Sequence, residues 1–331
     1  MNPFTYTRVA DVASAVKEVS ADEAAVFIAG GTNLIDLMKE NVTRPGRLVD
    51  ITRVPLGRIE ELPDGGLRLG ALVTNADTAY HEQVEHRYPM LSRAILAGAS
   101  AQLRNMATNG GNPMQRTRCY YFYDTATPCN KREPGTGCSA IDGFNRIHAI
   151  LGASEQCIAV HPSDMCVALT ALEAVIRVTG PQGERTIPFA DFHRLPGDTP
   201  HLDNNLRSGE IITAIDLPKR GFPDHYAYLK VRDRTSYAFA LVSVAVGLEM
   251  DGDTVTEARL ALGGVAHKPW RNTEAEGMLR GLKVTRDHFD AVAFAILRDA
   301  KGFGHNDFKI ALAQRAIVRA LQHATGTGRA Q

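Results

Sequence analysis

The sequence of 331 residues has no excess charge of either sign, because 37 lysines and arginines balance 37 aspartates and glutamates. This balance gives no sign of nucleic acid or of an anionic membrane as the main partner. No apolar run approaches the roughly 18 residues of a membrane-spanning helix, so no membrane span is predicted. Residues 1–19 also lack the basic end and apolar centre of a signal peptide. We therefore expect a cytoplasmic protein, or a periplasmic one exported with a partner subunit that carries the signal.

Cysteine is scarce, with five residues in the whole chain. An odd number of cysteines without a signal peptide argues against a framework of disulfides. Four of the five nevertheless lie in one stretch, at Cys119, Cys129, Cys138 and Cys157. Nine, eight and eighteen residues separate them, so the stretch lacks the C-x-x-C pair that zinc ribbons typically use. The pattern favours a metal site, and it leaves an iron–sulfur cluster, zinc and free thiols open.

Apolar periodicity predicts an α/β unit at the start of the chain. A helix with one apolar face is predicted over 12–19. Short buried strands are predicted over 24–29 and 47–52, with a helix between them. Two buried strands joined through a helix indicate a parallel βαβ unit.

From Tyr226 the pattern changes to three strand-like runs followed by three helical stretches. Strands followed by helices indicate a separate α+β domain. We therefore predict a first domain over 1–221, with subdomains of about 1–55 and 56–221, and a smaller one over 222–331. The helical stretches are predicted near 272–281, 285–298 and 306–323.

Two glycine loops are candidate anion sites. Gly30-Gly31-Thr32-Asn33 lies between a strand and a helix, and Asn109-Gly110-Gly111-Asn112 follows a second helix. Glycines let the backbone approach a ligand closely, and N–H groups at a helix start attract anions. The loops are neither G-x-G-x-x-G nor a P-loop, because no lysine follows the glycines. Two such loops indicate a long diphosphate ligand such as a dinucleotide, and plain tight turns are the alternative.

The order of several motifs resembles that of a known family. FIAGGTNL, RNMATNGGN, HPSDM, YLKVRDRTSYAFALVSVAV and LALGGVAHKPWR follow one another as in the FAD-binding subunits of the xanthine oxidase family. The chain resembles these medium subunits of molybdenum hydroxylases from Phe4 to about Ala320. The resemblance implies an α+β fold, with a vanillyl-alcohol-oxidase (PCMH) type FAD domain of two subdomains. A smaller C-terminal domain like that of carbon monoxide dehydrogenase flavoproteins is expected to follow it.

The resemblance also implies which residues bind FAD. Asp164 is similar to an aspartate that anchors the adenosine or ribityl portion, although taken alone it suits a helix N-cap. Lys230 is similar to a lysine near the pyrimidine end of the flavin ring, although taken alone it suits a solvated strand position. The glycine loops and their flanks complete the expected set, which is Phe27, Ile28, Ala29, Gly30, Gly31, Thr32, Asn33, Leu34, Thr108, Gly111 and Asn112.

Between Asn112 and Asp164 the chain is longer than in the simplest members of the family, since 52 positions separate these residues. The excess, at about 114–160, is called the cysteine segment below. Long loops with little periodicity are often functional. The segment resembles that of bacterial aldehyde oxidoreductases whose flavin subunit carries a [4Fe–4S] cluster. This resemblance implies that Cys119, Cys129, Cys138 and Cys157 are the cluster ligands.

Other residues in or near the cysteine segment have less specific interpretations. Cys166 is expected to be a small buried hydrophobe, and replacing Cys157 as a ligand is its less favoured role. His148 and His161 are expected to be structural. The cations of the segment are expected to offset cluster charge, to form a partner surface, or simply to be solvated. These cations are Arg116, Arg118, Lys131 and Arg132.

The chain shows no motif for a molybdopterin or a [2Fe–2S] cluster, so those centres are expected on other subunits. The resemblance implies an electron-transfer subunit that contains FAD and a [4Fe–4S] cluster. Its expected partners are a molybdenum cofactor-binding large subunit, a [2Fe–2S] small subunit and an external acceptor such as oxygen, ferredoxin or a quinone. The alternatives are the flavin subunit of a xanthine dehydrogenase or 4-hydroxybenzoyl-CoA reductase type enzyme, and a zinc-containing scaffold without redox activity.

Overall fold

A computed structural model describes residues 1–326 of the chain. Its strands form one parallel and two antiparallel sheets. The strands are β1 Thr5–Arg8, β2 Ala25–Ile28, β3 Arg47–Asp50, β4 Ile59–Glu61, β5 Leu67–Gly70, β6 Val175–Gly180, β7 Gly183–Pro188, β8 Ile211–Leu217, β9 Tyr226–Val231, β10 Val242–Asp251 and β11 Thr254–Gly263. The helices are α1 Val12–Ser20, α2 Leu34–Lys39, α3 Asn75–Ala79, α4 Glu82–Arg87, α5 Pro89–Ala97, α6 Ala101–Arg104, α7 Tyr120–Tyr123, α8 Asp164–Ala171, α9 Phe189–Phe192, α10 Thr273–Gly277, α11 Arg286–Leu297 and α12 Phe308–Ala324.

The N-terminal unit is a parallel sheet in the order β1-β3-β2 with α1 against it. Strands β2 and β3 pair in parallel, so the predicted βαβ unit is confirmed. Helix α1 begins after Asp11, whose carboxylate accepts a hydrogen bond from the Ser14 N–H at 2.7 Å. This sheet places the first glycine loop directly after the end of β2.

The second unit contains an antiparallel sheet in the order β4-β5-β8-β6-β7. Its apolar core includes residues of helices α3, α4, α5 and α8. All eight residues of α8 are buried, because this helix packs between the second unit and strands β10 and β11. Asp164 at the start of α8 is therefore held in a rigid position.

The C-terminal unit is an antiparallel sheet in the order β11-β10-β9 with α10, α11 and α12. The three predicted helices are present, although the first is shorter than expected. Residues 327–331 of the predicted C-terminal domain lie outside the described residues. No helix between residues 1 and 326 has the length and apolarity needed to cross a membrane.

The cysteine segment has little regular structure apart from the one turn of α7. It nevertheless has a small core of its own, in which Cys119, Phe122, Cys129 and Cys157 are buried. Leu37 of α2 belongs to the same core. The segment is therefore packed against the helix that follows the first glycine loop.

Candidate functional site

A cleft in the described part of the chain has a volume of about 1340 Å³. It exceeds the roughly 300–1,000 Å³ of most small-molecule sites, so it suits a long ligand. Both glycine loops, the start of α8 and the end of β9 contribute to its wall. All thirteen residues predicted to bind FAD line it, which are Phe27, Ile28, Ala29, Gly30, Gly31, Thr32, Asn33, Leu34, Thr108, Gly111, Asn112, Asp164 and Lys230.

The first glycine loop needs its glycines for two different reasons. Gly31 has a φ of +69°, a conformation that side chains with a Cβ rarely adopt. At Gly30 an added Cβ would lie 2.6 Å from the Met106 carbonyl carbon and closer still to its oxygen. The two glycine-bearing stretches can therefore meet only because residue 30 has no side chain. Asn33 Nδ2 has no hydrogen-bond partner in the described structure although the atom is buried, so it is a donor available to a ligand.

Side-chain amides fix the second glycine loop. Asn112 Nδ2 donates to Asn75 Oδ1 at 2.7 Å, and Asn112 Oδ1 accepts from Ser163 Oγ at 2.5 Å. The Ser163 hydroxyl also accepts the N–H of Cys166 at 3.1 Å, so Ser163 rather than Asp164 is the N-cap of α8. The second loop and the start of α8 thus form one connected wall of the cleft.

Asp164 and Lys230 form a buried ion pair on this wall. Lys230 Nζ lies 2.7 Å from Asp164 Oδ2, and the two side chains are only 4% and 7% exposed. Lys230 Nζ also donates to the Ala97 carbonyl at 3.0 Å, and Tyr228 Oη donates to Asp164 Oδ1 at 2.6 Å. Burial and the neighbouring carboxylate raise the pKa of Tyr228 well above its usual value, so the phenol stays a donor. The solvated position considered for Lys230 is therefore wrong.

Several cleft residues were not among those predicted to bind FAD. Arg118 and Tyr120 line the cleft on either side of Cys119, and Tyr237 and Phe239 line it from the loop after β9. Arg118 Nη1 lies 3.1 Å from Asp36 of α2. Because the cleft wall includes Arg118 and Tyr120, the cysteine segment and the cleft are adjacent.

The four cysteines of the cysteine segment surround one small interior space. Three of them are buried and Cys138 is partly buried. No three of their sulfur atoms lie within 4.8 Å of one another in the described structure. Thiolates around one zinc ion would be roughly 3.8 Å apart, given Zn–S bonds of about 2.3 Å. The four sulfurs therefore do not form a ready tetrahedral zinc site, although Cys138 and Cys157 are close enough to share a hydrogen bond.

Backbone N–H groups favour the thiolate form of three of these cysteines and so act to lower the pKa of each thiol. Those of Phe122 and Tyr121 act on Cys119, and that of Ala159 acts on Cys157. Those of Ala140, Ile158 and Ile141 act on Cys138. Such donors stabilise thiolates bound to iron.

The thiols differ in their acidity. Burial raises the pKa of Cys119 to about 12. A hydrogen bond from the Cys157 thiol lowers the pKa of Cys138 to about 6, and the same bond, together with burial, raises that of Cys157. Cys138 is therefore the more acidic thiol of this pair, and a metal would have to displace the proton of Cys157.

The cations of the cysteine segment bond within the protein. Lys131 is only 2% exposed, and its Nζ forms an ion pair with Asp203 and donates to the Pro200 carbonyl at 2.6 Å. Arg116 Nε lies 2.7 Å from the other oxygen of Asp203. Arg132 donates to carbonyls of the segment itself, including that of Phe122 at 2.9 Å. The interpretation that these residues are simply solvated is wrong for Lys131.

Comparisons with known proteins match most of the described chain. A family described as the FAD binding domain in molybdopterin dehydrogenase matches residues 2–220. A second family, described as the CO dehydrogenase flavoprotein C-terminal domain, matches residues 226–324. These matches confirm the predicted fold class, in which an FAD-binding domain precedes a carbon-monoxide-dehydrogenase-flavoprotein-like domain.

Individual relatives cover almost the same length. The chain is 50% identical to the aldehyde oxidoreductase FAD-binding subunit PaoB of Escherichia coli, over 98% of this chain and 99% of that protein. It is 29% identical to the glyceraldehyde dehydrogenase medium chain of Sulfolobus acidocaldarius, over 86% and 83% of the two chains. A solved carbon monoxide dehydrogenase from Hydrogenophaga pseudoflava superposes with a TM-score of 0.77 at 26% identity, over 99% of both chains.

Proposed function

The chain belongs to the family of FAD-binding medium subunits of molybdenum hydroxylases, and from this membership we propose a specific role for it. It is the FAD- and [4Fe–4S]-containing electron-transfer subunit of a heterotrimeric molybdenum aldehyde oxidoreductase. It receives electrons from the [2Fe–2S] clusters of a small subunit and passes them to an external acceptor. A large subunit with the molybdenum cofactor oxidises the aldehyde. This proposal rests on one observation, which is that all thirteen residues expected to bind FAD line a single cleft.

The choice of an aldehyde as substrate class is supported by the names of two relatives. Both the 50% and the 29% identical proteins are called aldehyde-oxidising enzymes. Neither of these two names supports a purine or an aryl-CoA as the substrate. The test is a substrate panel of aldehydes, hypoxanthine and 4-hydroxybenzoyl-CoA offered to the complex that co-purifies with this chain. Turnover of hypoxanthine alone or of 4-hydroxybenzoyl-CoA alone would contradict the proposal.

The residues of the cleft fit FAD, which supplies two-electron and one-electron chemistry when bound. The N–H groups of the first glycine loop and the free Asn33 Nδ2 can hold the diphosphate. Met106, held against Gly30, closes the loop on one side. The Lys230 ammonium lies in the cleft wall as half of a buried ion pair, and it can donate a hydrogen bond to an anionic ligand. Asp164 holds that cation in place.

The four cysteines fit a [4Fe–4S] cluster, which supplies one-electron chemistry when bound. They offer four thiols around one space, and backbone N–H groups favour the thiolate forms of Cys119, Cys138 and Cys157. Because Arg118 and Tyr120 join the segment to the cleft wall, a cluster here would be adjacent to the flavin site.

Metal and flavin analysis tests both cofactors. The complex is purified without oxygen, and iron, zinc and FAD are measured per copy of this chain in wild type and in Cys129→Ala. We expect the variant to lose about four iron atoms and to keep FAD, because Cys129 is not in the cleft wall. Cys166→Ala is the matched control and is expected to keep the iron, since Cys166 packs in a different core.

Two outcomes would contradict parts of this proposal separately. Zinc instead of iron, lost in Cys129→Ala, would make the cysteine segment a structural zinc site and leave FAD as the redox group of this chain. Absence of flavin in a folded wild-type complex would favour the scaffold without redox activity.

A further inference from the structure

A second group of potential metal ligands lies outside the cysteine segment. One ligand atom from each of His161, Cys166 and His193 lies within 4.8 Å of the other two. The ligand atoms of one tetrahedral zinc ion are roughly 3.3–3.8 Å apart, so a small contraction would complete the geometry. Among the described residues this is the one group of three histidine, cysteine or carboxylate side chains that meets this distance.

The two imidazoles have nitrogen atoms ready to bind a metal. His193 is 4% exposed, and its Nε2 lies 2.9 Å from the Pro113 carbonyl, to which it must donate. Its Nδ1 then carries the free lone pair, and this buried atom has no hydrogen-bond partner in the described part of the chain. His161 Nε2 is likewise buried and unpartnered there. A backbone carbonyl that fixes the tautomer of a histidine is a usual feature of metal sites.

The protonation states suit metal binding by the imidazoles. Burial lowers the pKa of His193 to about 4 and that of His161 well below its usual value, so both rings are neutral at pH 7. The rings are tilted by 46° to each other with centroids 4.1 Å apart, and two imidazolium ions at this distance would repel each other. Burial raises the pKa of Cys166 to about 12, so a metal must displace its proton.

We propose that His161, Cys166 and His193 bind one zinc ion, as a site separate from the cysteine segment. The ion accepts lone pairs from two neutral imidazoles and from the thiolate of Cys166, and the thiol proton leaves to solvent. Two nitrogens and one sulfur are a donor set that zinc prefers. His161 lines the cleft while Cys166 and His193 do not, so the site lies just behind the cleft wall, and a water molecule would be the fourth ligand.

The site would join three parts of the chain that form one wall of the cleft. His161 follows the last ligand cysteine, Cys166 lies in the first turn of α8, and His193 follows α9. Cys166 Sγ is also 4.0 Å from Asn112 Oδ1 of the second glycine loop. The ion would therefore hold the start of α8, with Asp164, against that loop. This inference does not depend on the presence of a [4Fe–4S] cluster.

Zinc K-edge X-ray absorption of the purified complex tests the proposal, because iron and flavin do not contribute at that edge. Zinc is added during purification and loosely bound metal is removed by gel filtration. We expect about one zinc per chain, with one sulfur at about 2.3 Å and the remaining ligands at about 2.0–2.1 Å. Zinc with four sulfur ligands, or a zinc content near zero, would overturn the proposal.

Variants assign the ion to these residues. Cys166→Ala and His193→Gln should each lower the zinc content at least tenfold, while Cys129→Ala should leave it unchanged. Circular dichroism and FAD content show whether each variant is folded. Zinc retained by folded Cys166→Ala and His193→Gln would overturn the assignment. If neither variant folds, the sulfur count at the zinc edge of the wild type decides between this site and the cysteine segment.

Discussion

His148 Nε2 lies 3.1 Å from Cys119 Sγ inside the buried core of the cysteine segment. His148 is 1% exposed, and burial lowers its pKa to about 4, so the ring is neutral and can donate Nε2–H to the sulfur. Its backbone carbonyl accepts from Lys309 Nζ at 2.7 Å, which fixes its position. The expectation that His148 is only structural therefore misses a polar contact with a proposed cluster ligand.

Replacing His148 by leucine should lower the reduction potential of the proposed cluster. A hydrogen bond to a thiolate stabilises the more negative, reduced state, so its loss favours the oxidised state. We expect a decrease on the order of 50 mV, because about 1.4 kcal/mol corresponds to 59 mV for one electron. A redox titration followed by electron paramagnetic resonance measures it.

The control for this variant is His148→Gln, which can still donate a side-chain N–H. It should keep most of the wild-type potential. A cluster with equal potential in both variants and in wild type would contradict the role of the hydrogen bond, whereas iron-free wild type would contradict the proposed cluster instead.

Lys230→Met should destabilise the protein and weaken FAD retention. The substitution leaves the buried Asp164 carboxylate without its cation, a change that costs about 3–5 kcal/mol in comparable buried pairs. Urea unfolding followed by circular dichroism, together with the FAD content after gel filtration, measures both effects.

The double variant Asp164→Asn, Lys230→Met separates the two effects. It contains no unpaired buried charge, so much of the lost stability should return. FAD retention should stay low, because both Asp164 and Lys230 are expected to contact FAD in the cleft. Full recovery of FAD binding in the double variant would show that neither side chain is needed to hold FAD.

Much of the fold could be predicted because its signals are local. Strands β2 and β3 and the strands after Tyr226 show apolar periodicity, and the structure has them. Strand β1 was not predicted, because no residue of Thr5–Arg8 is fully buried and the segment shows no apolar face. Its pairing with β3 comes from tertiary structure, which a pattern within four residues does not encode.

The candidate site was predictable only in part, for a related reason. Glycine loops and clustered cysteines are visible as short motifs, and all the motif residues expected at FAD line one cleft. The burial of Lys131 depends on Asp203, which lies 72 positions away. The approach of His161 and His193 likewise depends on how α8 and α9 pack. Composition and spacing carry no signal for such contacts.

Gly30→Ala should abolish FAD retention with less effect on the rest of the fold. The new methyl group would meet the Met106 carbonyl, so the first glycine loop and the stretch before the second must move apart. We expect at least a tenfold loss of FAD per chain. The matched control is Gly277→Ala in α10, where an added Cβ meets nothing within 4 Å and should stabilise the helix by about 0.5–1 kcal/mol. Normal flavin content in Gly30→Ala would show that the loops tolerate separation.

His267 should make the folded protein sensitive to acid. It is 8% exposed, and burial lowers its pKa well below its usual value of 6.5. The unfolded chain therefore binds a proton near pH 6.5 that the folded protein does not, so stability is full above pH 6.5 and falls as the pH decreases below it. Each such histidine contributes up to about 1.4 kcal/mol per pH unit.

His267→Leu should reduce this loss. Neither ring nitrogen of His267 has a hydrogen-bond partner in the described structure, so leucine leaves no partner unsatisfied. The free energy of unfolding is measured in urea at pH 7.0 and at a pH about one unit below 6.5. The difference between the two values should be smaller in the variant than in wild type, by roughly 1 kcal/mol. His323→Leu is the control, because burial lowers the pKa of His323 to a lesser degree. This variant should change the difference between the two free energies of unfolding less than His267→Leu does. Equal acid sensitivity of wild type and His267→Leu would mean that this imidazole accepts a proton in the folded state.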